Sequence, residues 1–237
     1  MQIKEEKITY GSHPRQYAVV VSSPKTTTPG KVAFYFHGGA WTFGRPEAFL
    51  PAAIPWLGAG FTVIFPSYRR LPQVGLGGVL EDCWAVISHF CPPETVPHLH
   101  VGGISAGAHL AALLAAQPAQ WLARGWSHPP RRILCCAGPL SFAELRTHRF
   151  FLPRYAALDA IQRLMPAKKA FAQEWLLIHG RADLMVKVTH SIKFHERLQE
   201  LGHPAQLFLL DGGTHLDSGR WMFGEQWAQE VTQFIKG

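Results

Sequence analysis

Apolar residues along this chain fall into short continuous runs separated by longer amphipathic stretches. The runs at 16–22, 32–36, 61–66, 98–102, 132–137, 175–179 and 206–210 have the length and the β-branched or aromatic content of buried strands. Between them, Leu80, Cys83, Trp84, Ile87 and Phe90 recur at helical spacing over 79–91, and Pro92-Pro93 follows, a pair that cannot continue a helix. The Ala/Leu-rich stretch 106–117, the stretch 188–201 ahead of Gly202, and 223–235 with Trp227, Val231, Phe234 and Ile235 as its apolar face read as further helices. Strand followed by helix, repeated, predicts an α/β fold: a mostly parallel central sheet with helices on both faces. The Thr- and Pro-rich stretch 23–31 reads as a surface loop, and the chain shows no internal repeat.

Four breaks between these elements carry chemistry. The strand at 98–102 runs into Gly103-Ile104-Ser105-Ala106-Gly107 and straight on into a helix, which puts Ser105 at the apex of a strand–turn–helix. A serine presented on so sharp a turn needs residues without Cβ two positions before and after it, where strand and helix come closest. The pentapeptide alone arises by chance on the order of 0.1 times in a chain of this length, so its weight comes from the other three segments. The strand at 32–36 ends in His37-Gly38-Gly39-Ala40-Trp41, a loop whose glycines let backbone N–H groups approach a developing oxyanion. The strand at 175–179 is followed by Gly180-Arg181-Ala182-Asp183, and the strand at 206–210 by Asp211-Gly212-Gly213-Thr214-His215. Nucleophile, acid and base then follow in the order Ser105, Asp183, His215, with the N–H groups of Gly38, Gly39 and Ala106 as oxyanion donors.

Each assignment has a rival. Asp211 is nearer His215 in sequence but is better placed to start the turn after its strand. His179 and His190 compete with His215, the first at a strand end and the second on a helix, while His37 is expected to shape the oxyanion loop. Trp41 either lines the acyl pocket or packs under the loop, and Phe43, Trp221, Met222 and Phe223 are further possible pocket walls or core residues.

Composition narrows the classes. At 237 residues, 47% of them apolar or aromatic, the chain fits one domain spanning 1–237 with a sizeable core. The net charge of +7 is scattered, with only short doublets such as Arg69-Arg70 and Arg131-Arg132, so no stripe suited to nucleic acid is expected. No apolar run approaches the ~20 residues that span a bilayer, and the first seven residues have no apolar leader segment. The expectation is a soluble, cytoplasmic protein that acts on a small molecule. Cys83, Cys91, Cys135 and Cys136 show no CxxC spacing and read as reduced core thiols, with the adjacent pair on opposite faces of a strand. His98 and His100 share a strand face, but no HExxH or third ligand accompanies them. They read as surface or edge residues, and no metal or cofactor is expected.

Taken together, His37-Gly38-Gly39-Ala40-Trp41 and Gly103 to Gly107, continued by Ala108-His109-Leu110, resemble the α/β-hydrolase family. The branch is that of small serine esterases with HGGxW and GxSAG motifs, including arylformamidase-like enzymes and bacterial carboxylesterase or feruloyl and acetyl esterase relatives. Ile104 departs from this pattern, since the relatives carry Asp or His before the serine. The resemblance implies hydrolysis of small carboxylic esters through an acyl-enzyme, with arylformamidase activity as the alternative in the same class. A non-catalytic ligand-binding homologue is the alternative outside it. Residues 141–174 are the one candidate cap, short enough to leave the pocket accessible.

Overall fold

The computed structural model describes residues 2–24, 26, 30–93, 98–145, 147, 154–168, 171 and 173–237. Its framework is one eight-stranded sheet: β1 (Lys4–Thr9), β2 (Tyr17–Ser22), β3 (Lys31–Phe36), β4 (Thr62–Pro66), β5 (His98–Ile104), β6 (Arg132–Cys136), β7 (Glu174–Gly180) and β8 (Ala205–Leu210). In space the order is β1-β2-β4-β3-β5-β6-β7-β8. The first two pairings, β1 with β2 and β2 with β4, are antiparallel, and every pairing from β4 to β8 is parallel.

The parallel strands are continuous apolar runs because both faces are covered, and alternate residues feed two separate cores. Phe34, Phe36, Ile133, Cys135 and Leu177 pack against the helices α2 (Leu76–Phe90), α3 (Ala106–Ala115) and α6 (Thr189–Glu200). Their neighbours Ala33, Tyr35, Leu134, Cys136, Leu176 and Ile178 face α1 (Ala53–Gly58), Trp221 and α7 (Ala228–Lys236). Cys135 and Cys136 therefore sit in different cores, and all four cysteines are free and buried. The helix α3 is buried along its whole length, as expected of one without a polar face. The described residues also include two short helices, α4 (Pro118–Ala123) and α5 (Ala160–Arg163).

Three expectations need correction. The strand β1 went unread because Lys4, Glu5, Glu6 and Lys7 interrupt any apolar pattern; it is an exposed edge strand, where charges guard against further pairing. The final helix begins at Ala228 rather than 223, since Leu216–Phe223 forms a 3-10 helix that ends at Gly224 in a left-handed conformation. His100 is a buried residue, not a surface one: its ring lies 4.4 Å from that of Phe61 and its Nδ1 accepts the Trp56 indole N–H at 3.3 Å. Part of the 141–174 segment, namely 146, 148–153, 169–170 and 172, lies outside the described residues. The rest includes 3-10 turns at Phe142–Glu144 and Ala156–Leu158.

Candidate active site

The loops that follow β3, β5, β7 and β8 converge at the carboxyl ends of the parallel strands, where open α/β sheets bind their ligands. Ser105 joins β5 to α3 at φ 55°, ψ −123°, a strained conformation for a residue with a side chain, costing about 1–3 kcal/mol. The flanking glycines explain why the turn closes. A Cβ on Gly103 would stand 2.5 Å from the Gly107 carbonyl group, and one on Gly107 would strike the Phe36 carbonyl. Both obstacles are backbone and cannot swing aside. The sequence expectation for these two positions is met in atomic detail.

The loop after β3 lies directly against that turn. A Cβ on Gly38 would come within 3.3 Å of the Ser105 Cβ. Gly39 at φ 120° is followed by Ala40 and Trp41, also at positive φ, and its carbonyl accepts the N–H groups of Thr42 and Phe43 at 2.8 and 2.9 Å. His37 anchors the loop from below. Its ring stacks on Tyr68 at 4.3 Å, its carbonyl accepts the Tyr68 hydroxyl at 2.8 Å, and its Nδ1 lies 2.6 Å from the Gly38 carbonyl, so Nδ1 carries the hydrogen. Burial lowers the His37 pKa to about 4, which keeps it neutral and structural, as expected of it. Arg70 donates to the Gly44 carbonyl at the far end of the loop. Among the described residues, no turn or loop hydrogen bond uses the N–H groups of Gly38, Gly39 or Ala106.

Asp183 and His215 are brought together by two loops zipped to each other: the Arg181 N–H donates to Leu210 and the Ala182 N–H to Gly213, both at 2.9 Å. His215 Nδ1 donates to Asp183 Oδ2 at 2.6 Å, while Oδ1 accepts the N–H groups of Met185 and Val186 at 2.8 and 2.9 Å. Burial alone would raise the Asp183 pKa. Hydrogen bonds from His179, His215 and the Val186 amide outweigh it and hold the carboxyl well below the usual carboxylate range. The rivals fall elsewhere. Asp211 is exposed and paired with Arg181 at 2.8 Å, and His190 accepts the Ser141 N–H from within α6. His179 reaches the same Asp183 oxygen as His215, at 3.2 Å, but is fully buried behind it.

Ser105 and His215 line one cavity of about 880 Å³ with Gly38 and Gly39. Among the described residues no hydrogen bond joins Ser105 Oγ to His215, a contact that in sites of this kind often forms fully only around substrate. Trp41 lines the cavity and packs edge-on against the His109 ring of α3 at 5.3 Å. Phe43 stands at the mouth, 59% exposed. Trp221 is not a pocket wall. Its indole donates to Cys136 Sγ at 3.4 Å and its rings meet Tyr35 and Trp56 edge-on at 6.0 Å, in the core on the α1 and α7 side. Met222 is buried in the same core, and Phe223 is exposed and outside the cavity wall.

Ile104, Phe49, Leu71, Leu145, Met185, Val186 and Leu216 supply apolar walls that sequence reasoning did not assign. Ile104 and Leu216 adjoin Ser105 and His215 in the chain, a signal that could have been used; Phe49 and Leu71 arrive only through the fold. Among the described residues no group of three His, Cys, Asp or Glu side chains is placed to hold a metal ion.

A family model for the alpha/beta hydrolase fold matches residues 33–148. The chain is 25% identical over 239 residues to a probable isoprenylcysteine alpha-carbonyl methylesterase of Oryza sativa subsp. japonica, covering 89% of this chain and 57% of the relative. It thus spans little more than half the length of that relative. Among solved structures, a truncated carbohydrate esterase from gut microbiota superposes with a TM-score of 0.81 at 18% identity, over 99% of this chain and 95% of the other. Esterase B from Lactobacillus rhamnosis gives 0.75 at 20%, over 99% and 86%. No helix among the described residues is long and apolar enough to cross a membrane. In sheet order, in the turn that carries Ser105 and in its likeness to these structures, the chain has the α/β-hydrolase fold.

Proposed function

We propose that the chain is a serine hydrolase of small carboxylic esters that works through an acyl-enzyme. The observation that carries this reading is the convergence on one cavity of a strained serine, a histidine held by a buried carboxylate, and backbone N–H groups with no other turn or loop partner. With Nδ1 committed to Asp183, His215 offers Nε2 to the cavity. There it takes the Ser105 proton as Oγ attacks the ester carbonyl carbon. The carbonyl oxygen becomes an oxyanion received by Gly38, Gly39 and Ala106, the last at the positive end of α3. Collapse expels the alcohol, which leaves with the proton from His215. Water, deprotonated by the same imidazole, then releases the acid and regenerates Ser105.

The walls are apolar except for Thr42, Arg45, Thr147 and the reacting groups, which favours esters with at least one apolar part over sugars or highly charged substrates. The free thiols accord with the cytoplasmic setting expected from the sequence. The test is kcat/KM on p-nitrophenyl acetate, butyrate and octanoate, with N-formylkynurenine as a formamide arm. Ester turnover that Ser105→Ala lowers by about 10⁴-fold or more is expected. A preference of several decades for the formamide would change the reaction class, and absence of any turnover would leave the fold as a binding protein.

A further inference from the structure

We propose that His179 is a positioning residue: a second imidazole that donates to the oxygen of Asp183 on which His215 depends, fixing the orientation and basicity of the His215–Asp183 pair. The proposal rests on the acyl-transfer reading above. His179 stands near the end of β7, fully buried, four residues before Asp183. Its Nε2 is 2.9 Å from the Val186 carbonyl oxygen and 3.2 Å from Asp183 Oδ2. Both neighbours can only accept from it, since the carboxyl is ionised, so Nε2 carries a hydrogen. In the neutral ring the Ser191 hydroxyl, 2.7 Å from Nδ1, then donates to that nitrogen from α6.

Asp183 therefore has four donors sorted by oxygen. Two backbone amides hold Oδ1, and two imidazoles, His215 and His179, share Oδ2. Without His179 one lone pair of a buried carboxylate oxygen loses its partner, and Oδ2 is left to His215 alone. A carboxylate with one donor fewer also attracts a proton more strongly and stabilises an imidazolium beside it. His179 also binds the carbonyl of Val186, whose N–H holds Asp183 and whose residue lines the cavity, so the same ring ties the acid to the pocket wall. The other titratable groups around it are Asp183 and His215 on the two loops and His190 beside Ser191 on α6, with Glu144 and His109 acting in turn on His190. His179 does not line the cavity and cannot serve as the base itself.

The test compares His179→Phe, which keeps a ring without a donor, with His179→Gln, which restores an N–H near Nε2, and with Ser191→Ala, which removes only the partner of Nδ1. For His179→Phe we expect kcat on p-nitrophenyl butyrate to fall by about 10- to 100-fold, by analogy with the loss when a partner orienting a metal-bound histidine is removed, with KM little changed. The acid limb of kcat/KM should move to higher pH, because His215 holds its proton more tightly. His179→Gln should return the limb to its wild-type position and recover most of kcat. A second readout needs no turnover: the low-field proton resonance of His215 Nδ1–H should move in His179→Phe and return in His179→Gln. A merely structural role predicts equal losses in both variants, with limb and resonance unmoved, and that result overturns the proposal. If His179→Phe does not fold, Ser191→Ala decides by the same two readouts. If the wild type turns over no ester, the ester reading fails while the resonance still answers for His179.

Discussion

Single residues set the terms of this site through where a Cβ can and cannot stand. A Cβ on Gly39 would strike the Phe43 carbonyl, so Gly39→Ala must shift the loop that presents the Gly38 and Gly39 amides. We expect kcat for p-nitrophenyl acetate to fall by about 10²–10³-fold, the usual loss for one oxyanion donor, together with a lowered thermal midpoint, since a side chain at φ 120° meets backbone there and Trp41 of the same loop packs in a core. Activity within a few-fold of wild type would show that Gly39 is not a donor position. The places of Ser105, Gly103, Gly107, Asp183 and His215 were legible in the sequence because the proposed roles demand a residue type at a fixed place on a strand-to-loop junction. The apolar walls were not. Met185 and Val186 reach the cavity because the Asp183 side chain ties their amides into a turn, and no local pattern announces that. His179 was legible only as a competitor of His215; its position behind Asp183 depends on the curl of residues 180–186 back onto the end of β7.

At the scale of elements, the parallel strands could be read because burial on both faces makes them mostly apolar, whereas β1 hid behind its charges. The 3-10 helix Leu216–Phe223 hid for another reason: eight residues with a three-residue turn give no sustained 3.6-residue period. That helix begins beside His215 and carries Trp221 around into the opposite core. Trp221→Ala should therefore act on stability, costing about 3–5 kcal/mol in urea unfolding as a large aromatic leaves a packed core, with KM for butyrate esters close to wild type. A raised KM with little loss of stability would return Trp221 to the pocket wall.

The whole molecule carries a pH liability written in its histidines. His37, His109 and His190 are buried with pKa values lowered to about 4, and His100 to about 3, in each case first by burial. Unfolded, each titrates near 6.5, so below that pH the unfolded chain binds protons that the fold refuses. Their neutral forms cost nothing above pH 6.5; as pH falls toward 4, each removes about 1.4 kcal/mol of stability per pH unit. Asp183 acts on a different window. Its depressed pKa contributes stability that is complete above the unfolded carboxyl value and is lost below about pH 4. The urea midpoint should be nearly level from pH 8 to 6.5 and drop steeply from 6.5 to 4.5; a level profile through that range would mean that these rings are not buried neutral.

The proposed reaction requires above all that Ser105 become acylated, activated by His215 on Asp183. Intact-mass and peptide mass spectrometry after brief exposure to a fluorophosphonate tests it most directly. A nucleophilic Ser105 yields a single phosphonyl adduct on that residue, abolished in Ser105→Ala and slowed strongly in His215→Ala. No adduct on the folded wild type, or an adduct on another residue that persists in Ser105→Ala, would contradict it.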